Sequence, residues 1–85
     1  MPEFLVELYA SRDSAAAVEQ GAEEARQAAV ELNQQGTRVR FLRSLFVPED
    51  ETCFYLFEAD SAESVRAAAQ RAGLRFDRVA EAVST

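Results

Sequence analysis

The side chains best suited to chemistry gather around the only cysteine of the chain. A run of three acids stands just before Cys53, and a thiol beside carboxylates can form a metal or redox site. A reactive thiol needs a lowered pKa, however, and no second Cys, Lys or His stands nearby in the sequence to lower it. The acids also lack the alternating ligands and central Gly of a calcium loop. We therefore predict a solvated acidic turn next to a thiol that fills core space. The alternative is weak binding of a hard cation by Glu49, Asp50 and Glu51.

The absence of histidine excludes several classes of enzyme and metal site. No Ser/His or Cys/His pair can form, and the nitrogen ligands of most Zn, Ni and Cu sites are missing. The formal net charge of −6 disfavours nucleic acid and anionic membranes as partners. One Cys allows no intrachain disulfide, and no stretch approaches the roughly 18 apolar residues of a membrane span. We expect a cytoplasmic, soluble protein with a single domain over residues 1–85.

The N-terminal half predicts a strand followed by a long helix. Apart from Glu3 and Glu7, residues 3–9 are apolar at both odd and even positions, which is typical of a strand covered on both faces. Small apolar residues then recur every three or four positions over residues 15–35, which predicts an amphipathic helix that ends at Gly36. Gly21 inside this helix costs about 1 kcal/mol relative to Ala. It either marks a close packing point or, as we favour, is simply tolerated.

The rest of the chain predicts a hairpin, a second helix and a last strand. Residues 37–47 and 52–59 are rich in β-forming side chains and flank a turn at 48–51. Asp60 or Ser61 caps the second helix, which Gly73 ends. Residues 75–83 form the last strand, with a helix as the alternative. This order predicts an α+β fold, the ferredoxin-like βαββαβ sandwich of the dimeric α/β-barrel type.

Strand alternation predicts that four candidate site residues share the face of the sheet that has no helices, which we call the open face. The prediction takes Val47 opposite Thr52 across the hairpin and counts by twos along the two hairpin strands. In the first strand, the purely apolar set of Phe4, Val6 and Leu8 is assigned to the helices, which leaves Glu7 and Tyr9 on the other face. Cys53 then falls on the helix-covered face. The candidate residues on the open face are Glu7, Tyr9, Arg43 and Glu58, with Arg78 as a fourth charge. The same counting places Leu5, Val39, Phe41, Leu45, Phe54 and Leu56 around them.

An open face this apolar predicts a homodimer. Two helices cover only one side of a sheet, and a contiguous apolar surface of this size favours a partner. A second copy packing sheet against sheet about a twofold axis is the commonest closed solution. Glu7, Arg43 and Glu58 then form either an ion-pair network that fixes the register of the dimer or the polar floor of a ligand pocket between subunits.

Nearly the whole chain resembles a known bacterial family. The matching stretches are "MPEF", "FLVELY" and the long segment from "VRFLRSLFVPEDETCFYLFEAD" to "FDRVAEAV". The chain is similar to a family of small ferredoxin-like dimers of unknown function, some members of which are described as nickel-binding. The resemblance implies a dimer and a divalent metal held by nitrogen and carboxylate ligands. Without histidine, the side chains that remain for such a role are carboxylates, which prefer harder ions: Glu7, Glu49, Asp50, Glu51 and Glu58.

Three hypotheses of function fit these features. The first is a homodimeric small-ligand or divalent-metal (nickel-type) binding protein, in which Glu7, Tyr9, Arg43 and Glu58 orient a polar ligand between subunits. The second is a small dimeric α/β-barrel enzyme, a cyclase, isomerase or cofactor-free oxygenase, that acts on a hydrophobic small molecule with Glu7 or Glu58 as base. In the third, the charges only specify assembly. We favour the first and lean against catalysis.

Overall fold

The structure, a computed structural model, describes residues 1–85 and contains four strands and two helices in the predicted order. The elements are β1 Glu3–Tyr9, α1 Ala15–Gln34, β2 Val39–Val47, a short 3-10 helix Pro48–Asp50, β3 Thr52–Ala59, α2 Ala62–Arg71 and β4 Arg78–Ala82. The predicted α+β ferredoxin-like sandwich is therefore confirmed. The segment after α2 forms a strand rather than a helix, although it is shorter than predicted. Neither helix combines the length and apolar character needed to cross a membrane.

The sheet is antiparallel throughout and has the strand order β2-β3-β1-β4. Alternate residues of the central strands, such as Val6 of β1 and Phe57 of β3, are buried and form one core with the helices. The helices approach closely because the side chains they turn inward are small, as at Ala25 and Ala69, both 0% exposed. The core thus lies on one side of the sheet, and the open face lies on the other.

The hairpin between β2 and β3 contains a bulge that the sequence prediction missed. The register begins as predicted, with Val47 opposite Thr52, but Leu42 has no partner in the ladder. Beyond a bulge, the residues of a strand change face relative to a regular count. Val39 and Phe41, which the prediction placed on the open face, are therefore core residues with exposures of 1% and 9%. Their predicted placement was wrong because counting by twos assumes an unbroken ladder.

Gly21 is a close packing point, and its interpretation as a merely tolerated glycine was wrong. Tyr55 is 1% exposed, and its hydroxyl donates a hydrogen bond to the Val18 carbonyl at 2.8 Å. A Cβ at residue 21 would overlap the Tyr55 hydroxyl oxygen and lie 3.1 Å from Cζ of the ring. The absence of a side chain at Gly21 therefore lets the tyrosine reach the helix backbone.

Both helices end where the sequence predicts, and the structure identifies the residue that caps the start of α2. Gly36 and Gly73 take positive φ angles of 95° and 75° just after the two helices, where a left-handed residue ends a helix. Of the two candidate caps for α2, the structure selects Ser61. Its hydroxyl accepts a hydrogen bond from the Ser64 N–H at 3.3 Å.

Candidate functional site

The open face carries charged and aromatic side chains from all four strands. The register places most of them in three rows that run across the sheet. The first row is Leu45, Phe54, Glu7 and Arg78, the second is Arg43, Leu56, Leu5 and Ala80, and the third is Arg40, Glu58, Glu3 and Ala82. Tyr9 lies beyond the first row, opposite Thr52. All four candidate residues therefore lie on the face that the sequence predicts.

Glu7 forms an ion pair in the first row. The Arg78 Nε donates to the Glu7 Oε1 at 2.7 Å, and the two side chains are 65% and 30% exposed. The pair joins β1 to β4, because the two residues are directly opposite in the ladder. At this exposure an ion pair contributes at most about 1 kcal/mol. The sequence prediction that Arg78 is a fourth charge of this face is confirmed.

Glu58 stands between a carboxylate and a guanidinium in the third row. Glu3 lies opposite it on β1, and Arg40 lies opposite it on β2. Like charges directly across two strands destabilise a sheet. The Arg40 Nε, 3.6 Å from the Glu58 Oε1, offsets this repulsion. The bulge brings Arg40 to this face, so the sequence count did not identify it as a partner.

Arg43 and Tyr9 complete the candidate set without ion-pair partners. Arg43 lies opposite Leu56 and is in none of the salt bridges of the chain. Tyr9 is 65% exposed at the end of β1. Glu7 and Glu58 lie two rows apart, about 13 Å at roughly 3.3 Å per residue. The structure thus places the four residues on one face but not in one cluster, with Arg43 in the row between the two carboxylates.

The apolar part of the open face is only partly covered within one chain. Leu56 is 7% exposed, whereas Leu45 is 48% exposed. Leu5 and Phe54 are half-buried. Because two residues predicted for this face belong to the core instead, the apolar surface left to a partner is smaller than the sequence predicts.

The residues of a single chain do not fit a nickel ion. No three side chains among His, Cys, Asp and Glu come close enough together to hold a metal. The acids at 49–51 form a surface turn, where the Glu51 carboxylate accepts a hydrogen bond from the Arg12 N–H at 3.2 Å. Glu7 and Glu58 each contact a guanidinium instead of one another.

Cys53 has the environment of a core residue. Its side chain is completely buried on the helix-covered face. Burial raises the pKa of the thiol. The thiol is therefore protonated at neutral pH, which confirms the prediction of a core filler.

A groove that the sequence did not predict lies between α1 and the edge strand β2. It encloses about 460 Å³. Its helix wall includes Arg26, Val30 and Asn33, and its strand wall includes Arg40 and Phe41. The one signal in the sequence is Val30, an apolar residue outside the small-residue stripe of the helix. The two walls come from separate elements and only the fold brings them together.

Comparisons with known proteins agree with the architecture. A family model described as "Nickel responsive protein SCO4226-like" matches residues 6–82. The crystal structure of SCO4226 from Streptomyces coelicolor A3(2) is similar with a TM-score of 0.71, at 24% sequence identity over 98% of both chains. This likeness shows a common fold. Among curated proteins, none matches the chain.

Proposed function

The chain belongs to the SCO4226-like family of nickel responsive proteins, and on this premise we propose that it is a homodimeric binding protein whose ligand lies between two open faces. The observation that carries the proposal is Arg43, a cation without an acidic partner in a row of the open face whose other residues are apolar. An unpaired guanidinium among apolar side chains favours an anionic group of a ligand or of a second copy.

The support for a dimer comes from what one chain leaves exposed. Leu45 and Val47 of β2 are 48% and 37% exposed, and Tyr9 at the same end of the sheet is 65% exposed. A second copy related by a twofold axis would bury these side chains against the same surface of the partner. The single buried cysteine suits the reducing cytoplasm, where we place the protein.

The support for a small polar ligand comes from the positions of the four candidate residues. Arg43 supplies donors for a carboxylate or phosphate, and Tyr9 supplies a hydroxyl at the edge of the face. Glu7 and Glu58, held by their arginine partners, border this surface on either side and would repel a second anionic group. A divalent cation would need carboxylates from both copies, since one chain offers no cluster of ligands.

The oligomeric state tests the first part of the proposal. We expect sedimentation velocity at micromolar concentration to give a dimer, and Leu45→Asp to raise its dissociation constant at least about a hundredfold, because an unpaired carboxylate would be buried in the interface. Val83→Asp is the control, since Val83 is also an exposed apolar residue, at 76% against 48% for Leu45, but follows the end of β4. A wild-type chain that sediments as a monomer would overturn the proposal.

Ligand binding tests the second part. Isothermal titration of the wild-type dimer with Ni²⁺, and separately with inorganic phosphate, distinguishes a cation site from an anion site. Arg43→Gln should abolish phosphate binding and leave the dimer intact, whereas Glu7→Gln should abolish nickel binding if carboxylates of two copies hold the ion. Absence of heat with both probes would leave only an assembly role for these charges and would refute a binding function.

A further inference from the structure

The groove between α1 and β2 is a second concave surface, separate from the open face. Its floor is apolar because the bulge turns Val39 and Phe41 toward the helices, where they are 1% and 9% exposed. Val30 forms the apolar part of the helix wall and is 46% exposed. In a single chain, the exposed Val30 side chain beside the Phe41 ring therefore leaves apolar surface in contact with water.

The charged group that projects into the groove is a cation. Arg26 lines it, and none of the 15 acidic residues of the chain does. Arg40 also borders the groove, but its guanidinium lies on the open face beside Glu58. The Arg26 guanidinium lies over the Phe41 ring, with Cζ 5.2 Å from the ring centroid. This cation–π contact holds the guanidinium beside the apolar floor of the groove. In a chain of net charge −6, a groove with a cation and no acid is a local reversal of sign.

The partner of Arg26 limits the charge of what can bind. The Arg26 Nη1 contacts the Glu23 carboxylate at 2.7 Å, and Glu23 does not line the groove. This pairing leaves other N–H donors of the guanidinium, which has five. A single guanidinium with one acidic neighbour matches one negative charge better than the two charges of a phosphate monoester.

We propose that this groove binds a small amphipathic monoanion, an aliphatic or aromatic body that carries one carboxylate. The body would cover Val30 and Phe41, and the carboxylate would accept hydrogen bonds from Arg26. The volume of about 460 Å³ is in the range of small-molecule sites and leaves room for a medium-chain or aryl carboxylic acid. The Asn33 amide is already used by the Ala29 and Val39 carbonyls, so it holds α1 against β2 rather than contacting the ligand.

Nuclear magnetic resonance titration of the full chain with octanoate tests this site. Amide shifts should map to residues 26–34 and 39–41, and 1-octanol, which has the same tail without the charge, should bind about tenfold more weakly or worse. Arg26→Gln should raise the octanoate dissociation constant about tenfold. Arg66→Gln, which removes a cation from α2, should leave it unchanged. Equal affinity for octanoate and octanol, or an unaltered dissociation constant in Arg26→Gln, would overturn the proposal.

A second variant keeps the test independent of the arginine. Val30→Glu places a carboxylate on the exposed wall of the groove without touching the core, and it should weaken octanoate binding about tenfold by repulsion. Both α1 variants lie off the open face, so sedimentation should not change. Shifts confined to the open face would refute the groove as the site, whatever the outcome for the dimer.

Discussion

Replacement of Gly21 by alanine is the perturbation whose direction depends most directly on the structure. In an exposed helix interior, Gly→Ala stabilises by about 1 kcal/mol, because alanine has the higher helix propensity. Here the new methyl group would overlap the Tyr55 hydroxyl, which is buried and bonded to the Val18 carbonyl. The structure therefore reverses the sign that propensity alone gives.

The size of the effect follows from what Tyr55 must give up. Displacing the ring in a packed core costs about 1–3 kcal/mol, and a buried hydroxyl left without its acceptor costs about 1–3 kcal/mol. The gain in helix propensity offsets about 1 kcal/mol of this. We expect Gly21→Ala to lower the free energy of unfolding by about 1–5 kcal/mol, which at the centre of this range is a large share of the stability of a domain this small.

A double-mutant cycle with Tyr55→Phe isolates the contact. Phenylalanine lacks the hydroxyl, so the nearest remaining atom to an alanine Cβ at residue 21 is the ring carbon at 3.1 Å, which a small ring shift relieves. Urea denaturation followed by circular dichroism should show that Gly21→Ala costs at least about 1 kcal/mol less in the Tyr55→Phe background. If Gly21→Ala instead raises stability in the wild-type background, the packing described for Tyr55 is incorrect.

Two further predictions rest on the core. Phe41→Ala should lower the free energy of unfolding by about 3–5 kcal/mol, since the bulge makes Phe41 a core residue. Val30→Ala, on the exposed side of α1, should change this free energy by no more than about 0.5 kcal/mol. Similar losses for the two variants in urea denaturation would contradict the register. Burial raises the folded-state pKa of Cys53 above its ordinary 9.0, so the folded chain holds this proton more tightly than the unfolded chain. The stabilisation that results from this difference is complete below pH 9.0 and is lost as pH rises through the folded pKa. As pH rises through this range, the denaturant midpoint should fall less steeply for Cys53→Ala than for the wild-type chain. The same slope in both proteins would contradict the burial of the thiol.

The elements and their order could be predicted because each has a local signal. The small-residue stripe of α1, the turn at Pro48 and the glycines after the helices are properties of neighbouring residues. The pairing of Val47 with Thr52 followed from the loop length alone, and it is correct. Alternation from that point placed Arg43 and Glu58 on one face. The purely apolar alternate residues of β1 placed Glu7 and Tyr9 on the same face, without knowledge of the partners that each would meet.

The sites and the partners of individual side chains could be predicted less completely than the elements, because they depend on contacts between segments that are distant in the sequence. Gly21 and Tyr55 are 34 positions apart, and no local pattern tells a tolerated glycine from one that admits a buried hydroxyl. The groove joins the last turns of α1 to the start of β2 around an edge that exists only in the folded sheet. The family resemblance suggested nickel, but the dispersion of the carboxylates becomes visible only once the register is known.

The bulge at Leu42 has one sequence signal, and it is electrostatic. Arg40 and Arg43 stand three residues apart, so a regular strand would turn one of them toward the helices. Burying a guanidinium without a partner costs several kcal/mol, more than the local disruption of a ladder at a bulge. One unpaired residue lets both arginines reach the open face and turns Val39 and Phe41 into the core. The same irregularity therefore gives Glu58 its partner and builds the apolar floor of the groove. In β2, the spacing of the charges is consequently a better guide to the register than the spacing of the apolar residues.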